Sequence, residues 1–348
     1  MSTERIGYTC AYTPLPLLHA AGFIPHRVLP TSAPQIPDLA GAYLHDNLCP
    51  HVKRVLDRVL AGDLPDDLTG LVIVNSCDAM RRLADALVGR SAAQVALVEL
   101  PVCGGPAAVE FLTIELEQLQ TRLCAWSGLP PSEDRLRQSI ALYDELAGAL
   151  DRLRERAIDG RLDGGFGALQ ASVNRAVTRP PEESLAELRR MPQQGGQGRR
   201  GVPIYLFGNL LADVEALELI ESCGARVAGE DVCTGSRQLT GLGPAPDGPL
   251  LPWLADRMLA RPPCARTLPE RGGSELAALV VQGARRCGAR GVVAHVLKFC
   301  DPYLARLPRV RQALRDASLP LLVLEGDCTL RSLGQHRTRI EAFIEMLD

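Results

Sequence analysis

Aromatic residues are scarce in this 348-residue chain, at 4%, and neither sign of charge dominates, the formal net charge being -3. With few stacking platforms and no basic excess, the chain carries no footprint for nucleic acid. No apolar run approaches the ~20 residues of a membrane-spanning helix. The N-terminal residues lack the basic-then-apolar layout of a secretory signal, so a cytoplasmic protein is expected. No G-x-x-x-x-G-K-[ST] loop occurs, so the sequence offers no P-loop for a nucleotide. No C-x-x-C pair occurs either, which argues against a zinc ribbon or a thioredoxin motif.

Cysteine is what the chain has in excess, with eleven residues. An odd number in a long chain without a secretion signal does not suit a disulfide scaffold. Cys124, Cys223 and Cys287 fall inside helix-like stretches and read as small buried hydrophobes. Cys10, Cys49, Cys77, Cys233, Cys264 and Cys300 fall in turns, loops or first helical turns. Thiolates of that kind ligate iron–sulfur clusters, commonly four to a cubane, but scattered spacing alone leaves cluster, zinc and no metal all open.

Length and pattern predict two α/β domains. The last fifty residues show the arrangement best. An apolar strand over 291–297 runs into Cys300-Asp301-Pro302, a helix follows, and a second strand over 319–324 ends near Cys328. Strands that carry single cysteines at their carboxyl ends fit the rule that open α/β sheets bind ligands there. The first half echoes this. A strand over 71–75 leads to Cys77-Asp78, a helix over 79–88, and a strand over 95–100 that ends at Cys103. Upstream, Gly7–Cys10 reads as part of a loop, 23–29 as a strand, and 48–60 as a helix capped by Asn47 with Cys49 in its first turn. Helices fill 109–156, a candidate dimer interface, with a break at Gly128-Leu129-Pro130-Pro131. The Gly/Gln-rich stretch 191–201 is the clearest composition break. Two Rossmann-like, doubly wound domains with parallel sheets are expected, over 1–190 with a helical extension and over 202–348, with ligand in the cleft between them.

Seven stretches, in order, carry a resemblance: GYTCAYTPLPLLHAAGFIPHRV, LCPHVKRVL, NSCDAMRRL, GEDVCTGSRQ, RPPCAR, LKFCDPY and GQHRTRIEAFIEML. Together they resemble the 2-hydroxyacyl-CoA dehydratase and benzoyl-CoA reductase superfamily over essentially the whole chain, and its double-cubane-cluster proteins most of all. The resemblance implies two Rossmann-like domains around an iron–sulfur cluster. It also implies a low-potential reductase of small molecules that receives electrons from a separate ATP-dependent activator. Cys49, Cys77 and Cys300 match the ligand motifs best, and Cys10, Cys233 and Cys264 complete the six-cysteine set of an [8Fe-9S] double cubane. A single [4Fe-4S] subunit of a heteromeric dehydratase, or a homologue that has lost its metal, are the rival readings. A homodimer is implied, or a heterodimer with a homologous subunit. Cys103 and Cys328 match no ligand stretch.

Among other polar groups, Arg237 is a candidate donor to the cluster, and Thr234–Ser236, with Ser236 itself, a candidate anion nest. His51 is a candidate proton donor and Lys298 a second candidate donor or a strand cap. His295 reads as a satisfied core histidine, and Arg337 and Arg339 as members of ion pairs with Glu341 or Glu345.

Overall fold

A computed structural model describes residues 4–30, 36–90, 93–192, 200–267, 274–328 and 333–348. Its strands are β1 (Arg5–Tyr8), β2 (Ile24–Arg27), β3 (Leu68–Val74), β4 (Gln94–Val98), β5 (Val202–Gly208), β6 (Ala225–Asp231), β7 (Gly291–Leu297) and β8 (Leu321–Gly326). Its helices are α1 (Leu15–Ala20), α2 (Pro50–Leu60), α3 (Asp78–Leu87), α4 (Pro106–Ser127), α5 (Glu133–Ile158), α6 (Gly165–Ala176) and α7 (Pro181–Arg190). In the second half they are α8 (Val214–Ser222), α9 (Leu250–Leu259), α10 (Ser274–Arg286), α11 (Asp301–Asp316) and α12 (Leu333–Leu347).

The strands form two four-stranded sheets, ordered β2-β1-β3-β4 and β6-β5-β7-β8. Every pairing is parallel. Both sheets therefore share one topology, the α/β arrangement of two Rossmann-like units. The order reverses between β1 and β3, and again between β5 and β7. Crevices open at such reversals beyond the carboxyl ends of the strands.

Alternation along the central strands fixes which face each side chain serves, since successive residues point to opposite faces. Val72 and Val74 of β3 pack with α1, α4 and α9, whereas Leu71 and Ile73 pack with α2 and α3. In β5, Ile204 and Leu206 face α5, α6, α8 and α12, and Tyr205 and Phe207 face α10 and α11. Both faces of both sheets are covered, as parallel sheets require.

Sequence and structure part company in three places. First, Arg5–Tyr8 is not loop but the inner strand β1. With four residues and one glycine it gives little periodicity, yet Ile6 and Tyr8 are fully buried. Gly7 is needed there because a Cβ would strike the Leu71 side chain. Second, the sequence pattern predicts a strand over 226–228 and a turn from Gly229, but β6 continues through Glu230 and Asp231; Glu230 pairs with Arg154 at 3.0 Å and Asp231 with Arg237 at 3.1 Å. Third, packing crosses the 191–201 stretch in both directions. Helix α9 stacks on α4 over the first sheet, while α5 and α6 pack against the second. Residues 193–199 of that stretch lie outside the described residues.

Candidate metal centre

All six candidate ligand cysteines line one cavity of about 110 Å³. The strand order explains how residues so far apart in sequence meet. Cys10 follows β1 and Cys77 follows β3, so they flank the reversal in the first sheet. Cys300 follows β7 and Asn209 follows β5, flanking the reversal in the second. Cys233 leaves β6, Cys264 follows α9, and Cys49 opens α2. Leu297, Met80 and Pro302 complete an apolar part of the wall.

Three of these thiols occupy helix N-caps: Cys49 on α2, Cys77 on α3 and Cys300 on α11. For Cys49 this moves the start of the helix beyond Asn47, with Pro50 at the first helical position, where its missing N–H costs nothing. Helix N-termini direct backbone N–H groups and the positive end of the dipole at whatever lies beyond them, which favours an anion. Three of them converge here.

Burial opposes free thiolates. It pushes Cys10 up to about 12, helped by Cys233. It pushes Cys49 to about 12, helped by Cys300, and Cys300 to about 11. Cys77 is raised too, again chiefly by burial. Cys233 moves the other way: burial raises it, but the guanidinium groups of Arg27 and Arg237 outweigh that and bring it below the ordinary thiol range. Thiols held up by desolvation become thiolates only where a cation compensates the buried negative charge.

The rest of the lining supplies polar groups without partners, most of them donors. Both ring nitrogens of His51, Nε of Arg27, Nη1 of Arg237, Nη1 of Arg266, Nδ2 of Asn209 and the Tyr303 hydroxyl are buried and unpartnered. Each belongs to a residue of the cavity wall. A buried polar group left unpaired costs roughly 1–3 kcal/mol, so a wall with this many calls for an acceptor-rich occupant. His51 is held neutral, its pKa brought down to about 3 by burial and then by Arg27, so it can donate but carries no charge. Sulfur-bearing polyanions fit this chemistry; an apolar ligand does not. Among the described residues no group of three or more histidine, cysteine or acidic side chains is arranged to hold a single metal ion. The thiols are instead distributed around a space.

Other expected positions fall elsewhere. Ser236 donates to the backbone carbonyl and carboxylate of Glu230, at 3.2 and 3.0 Å, and is not part of the cavity wall. In the Thr234–Ser236 turn the Gly235 N–H is spent on the Val232 carbonyl, as is that of Arg237 after it. Arg237 does reach the wall, anchored by Asp231 at 3.1 Å. The Lys298 backbone N–H bonds to Gly326 and its side chain is exposed. His295 is buried at 1% exposure in β7, a core histidine outside the cavity wall. Arg337 pairs with Glu341 at 3.4 Å, while Arg339 donates to the Val323 carbonyl. Cys103 is exposed. Cys328 is buried in the wall of a second cavity of about 310 Å³, with Leu48, Pro50 and Phe299. Both follow edge strands, β4 and β8, one strand removed from the reversals.

Sequence reasoning missed Arg27, Asn209, Arg266 and Tyr303. Arg27 had a signal: a charged residue inside a short strand, FIPHRV, with apolar residues on either side of its His-Arg pair.

Comparison with known proteins agrees with this architecture. A family profile for 2-hydroxyglutaryl-CoA dehydratase, D-component, matches residues 10–347. The beta subunit of lactoyl-CoA dehydratase from Anaerotignum propionicum is 26% identical, over 98% of this chain and 91% of the relative. The (R)-phenyllactyl-CoA dehydratase beta subunit from Clostridium sporogenes is 23% identical, over 99% and 92%. The beta subunit of (R)-2-hydroxyglutaryl-CoA dehydratase from Acidaminococcus fermentans is also 23% identical, over 99% and 92%. With its whole length but the first nine residues and the last accounted for, this chain belongs to the 2-hydroxyglutaryl-CoA dehydratase D-component family.

Proposed function

We propose that the chain is an iron–sulfur enzyme whose six thiols, Cys10, Cys49, Cys77, Cys233, Cys264 and Cys300, together hold a double cubane and reduce a small molecule at low potential. The observation that supports this is their meeting at one cavity, opposite buried donors that lack acceptors. The cluster would supply single-electron transfer, its potential governed by charge, hydrogen bonds to sulfur and exposure. The protein residues do the rest. Three helix N-termini and Arg27, Arg237 and Arg266 offset negative charge, and Asn209, Tyr303 and His51 offer neutral donors. Leu297 and Met80 keep part of the wall free of water. Electrons would come from a separate ATP-dependent activator, as the family resemblance implies. We place the protein in the cytoplasm, where its thiols stay reduced, and read it as a homodimer.

A second reading is favoured by the relatives, which are dehydratase subunits. In it the chain holds one cubane and works as the subunit of a 2-hydroxyacyl-CoA dehydratase beside a homologous partner. Iron and sulfide analysis after anaerobic purification separates the two. About eight irons per chain supports the double cubane, and about four the single cubane of a dehydratase subunit. Iron-free protein overturns both.

A further inference from the structure

Arg27 is among the largest fully buried side chains of the protein, at 1% exposure. A guanidinium is always charged, and burying one without an anion costs several kcal/mol. Among the described residues no carboxylate pairs with it. Its side chain donates to the Cys233 carbonyl at 3.3 Å and to the Cys233 sulfur at 3.4 Å, and its Nε has no acceptor. Arg237 differs, for Asp231 neutralises it. The strand of Arg27 is held by the backbone, through pairing of β2 with β1, and its own N–H bonds to the Val177 carbonyl after α6.

Cys10, Cys233, Cys264 and the other three thiols line the same cavity as Arg27. Arg27 thus puts a positive charge, unpaired by any described carboxylate, directly beside the Cys233 sulfur. We propose, building on the function above, that Arg27 is a positioning residue that sets the reduction potential of the group held by the six thiols, acting through the Cys233 sulfur. A fixed cation in a low-dielectric interior favours the added electron, and a donor to a ligand sulfur does the same.

The test is an anaerobic redox titration of the iron-loaded protein, with titanium(III) citrate as one-electron reductant and the signal followed by EPR. Arg27→Gln, with iron content unchanged, is expected to lower the reduced-to-oxidised ratio at fixed potential at least tenfold, which is 59 mV for one electron. Arg27→Lys, which keeps the charge, should stay within threefold of wild type. An unshifted Arg27→Gln overturns the inference and leaves the proposed function standing. Should the Gln variant fail to load iron, the Lys variant decides: normal loading and midpoint support a role through charge, and failure of Lys as well overturns it in favour of shape. Iron-free wild type overturns the function and this inference together.

Discussion

At the scale of single residues, the account separates cysteines that look alike in sequence. Cys77 and Cys300 face the shared cavity, whereas Cys103 is exposed and Cys328 lines another. We predict that Cys77→Ser or Cys300→Ser lowers the iron retained after anaerobic purification to less than half, while Cys103→Ser leaves it unchanged. Equal loss from all three would contradict the assignment. His295 makes a prediction about pH. Burial, then His336, holds its pKa down to about 4 from the ordinary 6.5. As pH falls below 6.5 the unfolded chain takes up a proton that the folded chain refuses, so stability present above 6.5 is lost towards 4. The loss is at most about 3 kcal/mol. Denaturant titrations of wild type and His295→Met between pH 7 and 4 should show a flatter acid limb in the variant. Parallel limbs would show that His295 does not contribute.

At the scale of elements, α4 and β5 carry the argument. Leu112, Leu116, Leu119 and Leu123 form one buried stripe on α4, against α9 and the first sheet. Its spacing is helical. Leu116→Ala should cost about 2–5 kcal/mol in urea unfolding; a change below about 0.5 kcal/mol would mean the stripe is not packed as described. Gly128, with φ +71°, ends α4 in the left-handed conformation, so the break at 128–131 was legible from composition. Gly208, the last residue of β5, was not. A Cβ there would strike the His295 carbonyl on β7, beside the point where Asn209 enters the cavity. Gly208→Ala should therefore part β5 from β7 and reduce iron binding while α4 stays packed. Amide exchange would localise the loosening to β5 and β7, and a spread over the whole chain would argue against it.

For the molecule as a whole, the paired architecture was legible because each half repeats strand, cysteine, helix, strand. Strand β7 was read to the residue, since seven consecutive buried positions leave no ambiguity. Strand β1 was not, because four residues with Gly7 among them cannot outweigh the loop signals after it. The site was legible only through cysteine motifs. The donors opposite them, Arg27, Asn209, Arg266 and Tyr303, come from β2, from the ends of β5 and α9, and from α11, and nothing local in sequence predicts that they share a wall. The crossing of helices over the 191–201 stretch was likewise invisible, since an amphipathic helix shows that it packs but not against which sheet.

Crystals grown without oxygen and measured at the iron absorption edge test the central claim most directly. The account predicts anomalous density inside the cavity, within bonding distance of sulfur from both sheets, with Cys10, Cys49, Cys77, Cys233, Cys264 and Cys300 all ligating. Iron held elsewhere, or ligated from one sheet alone, would contradict it.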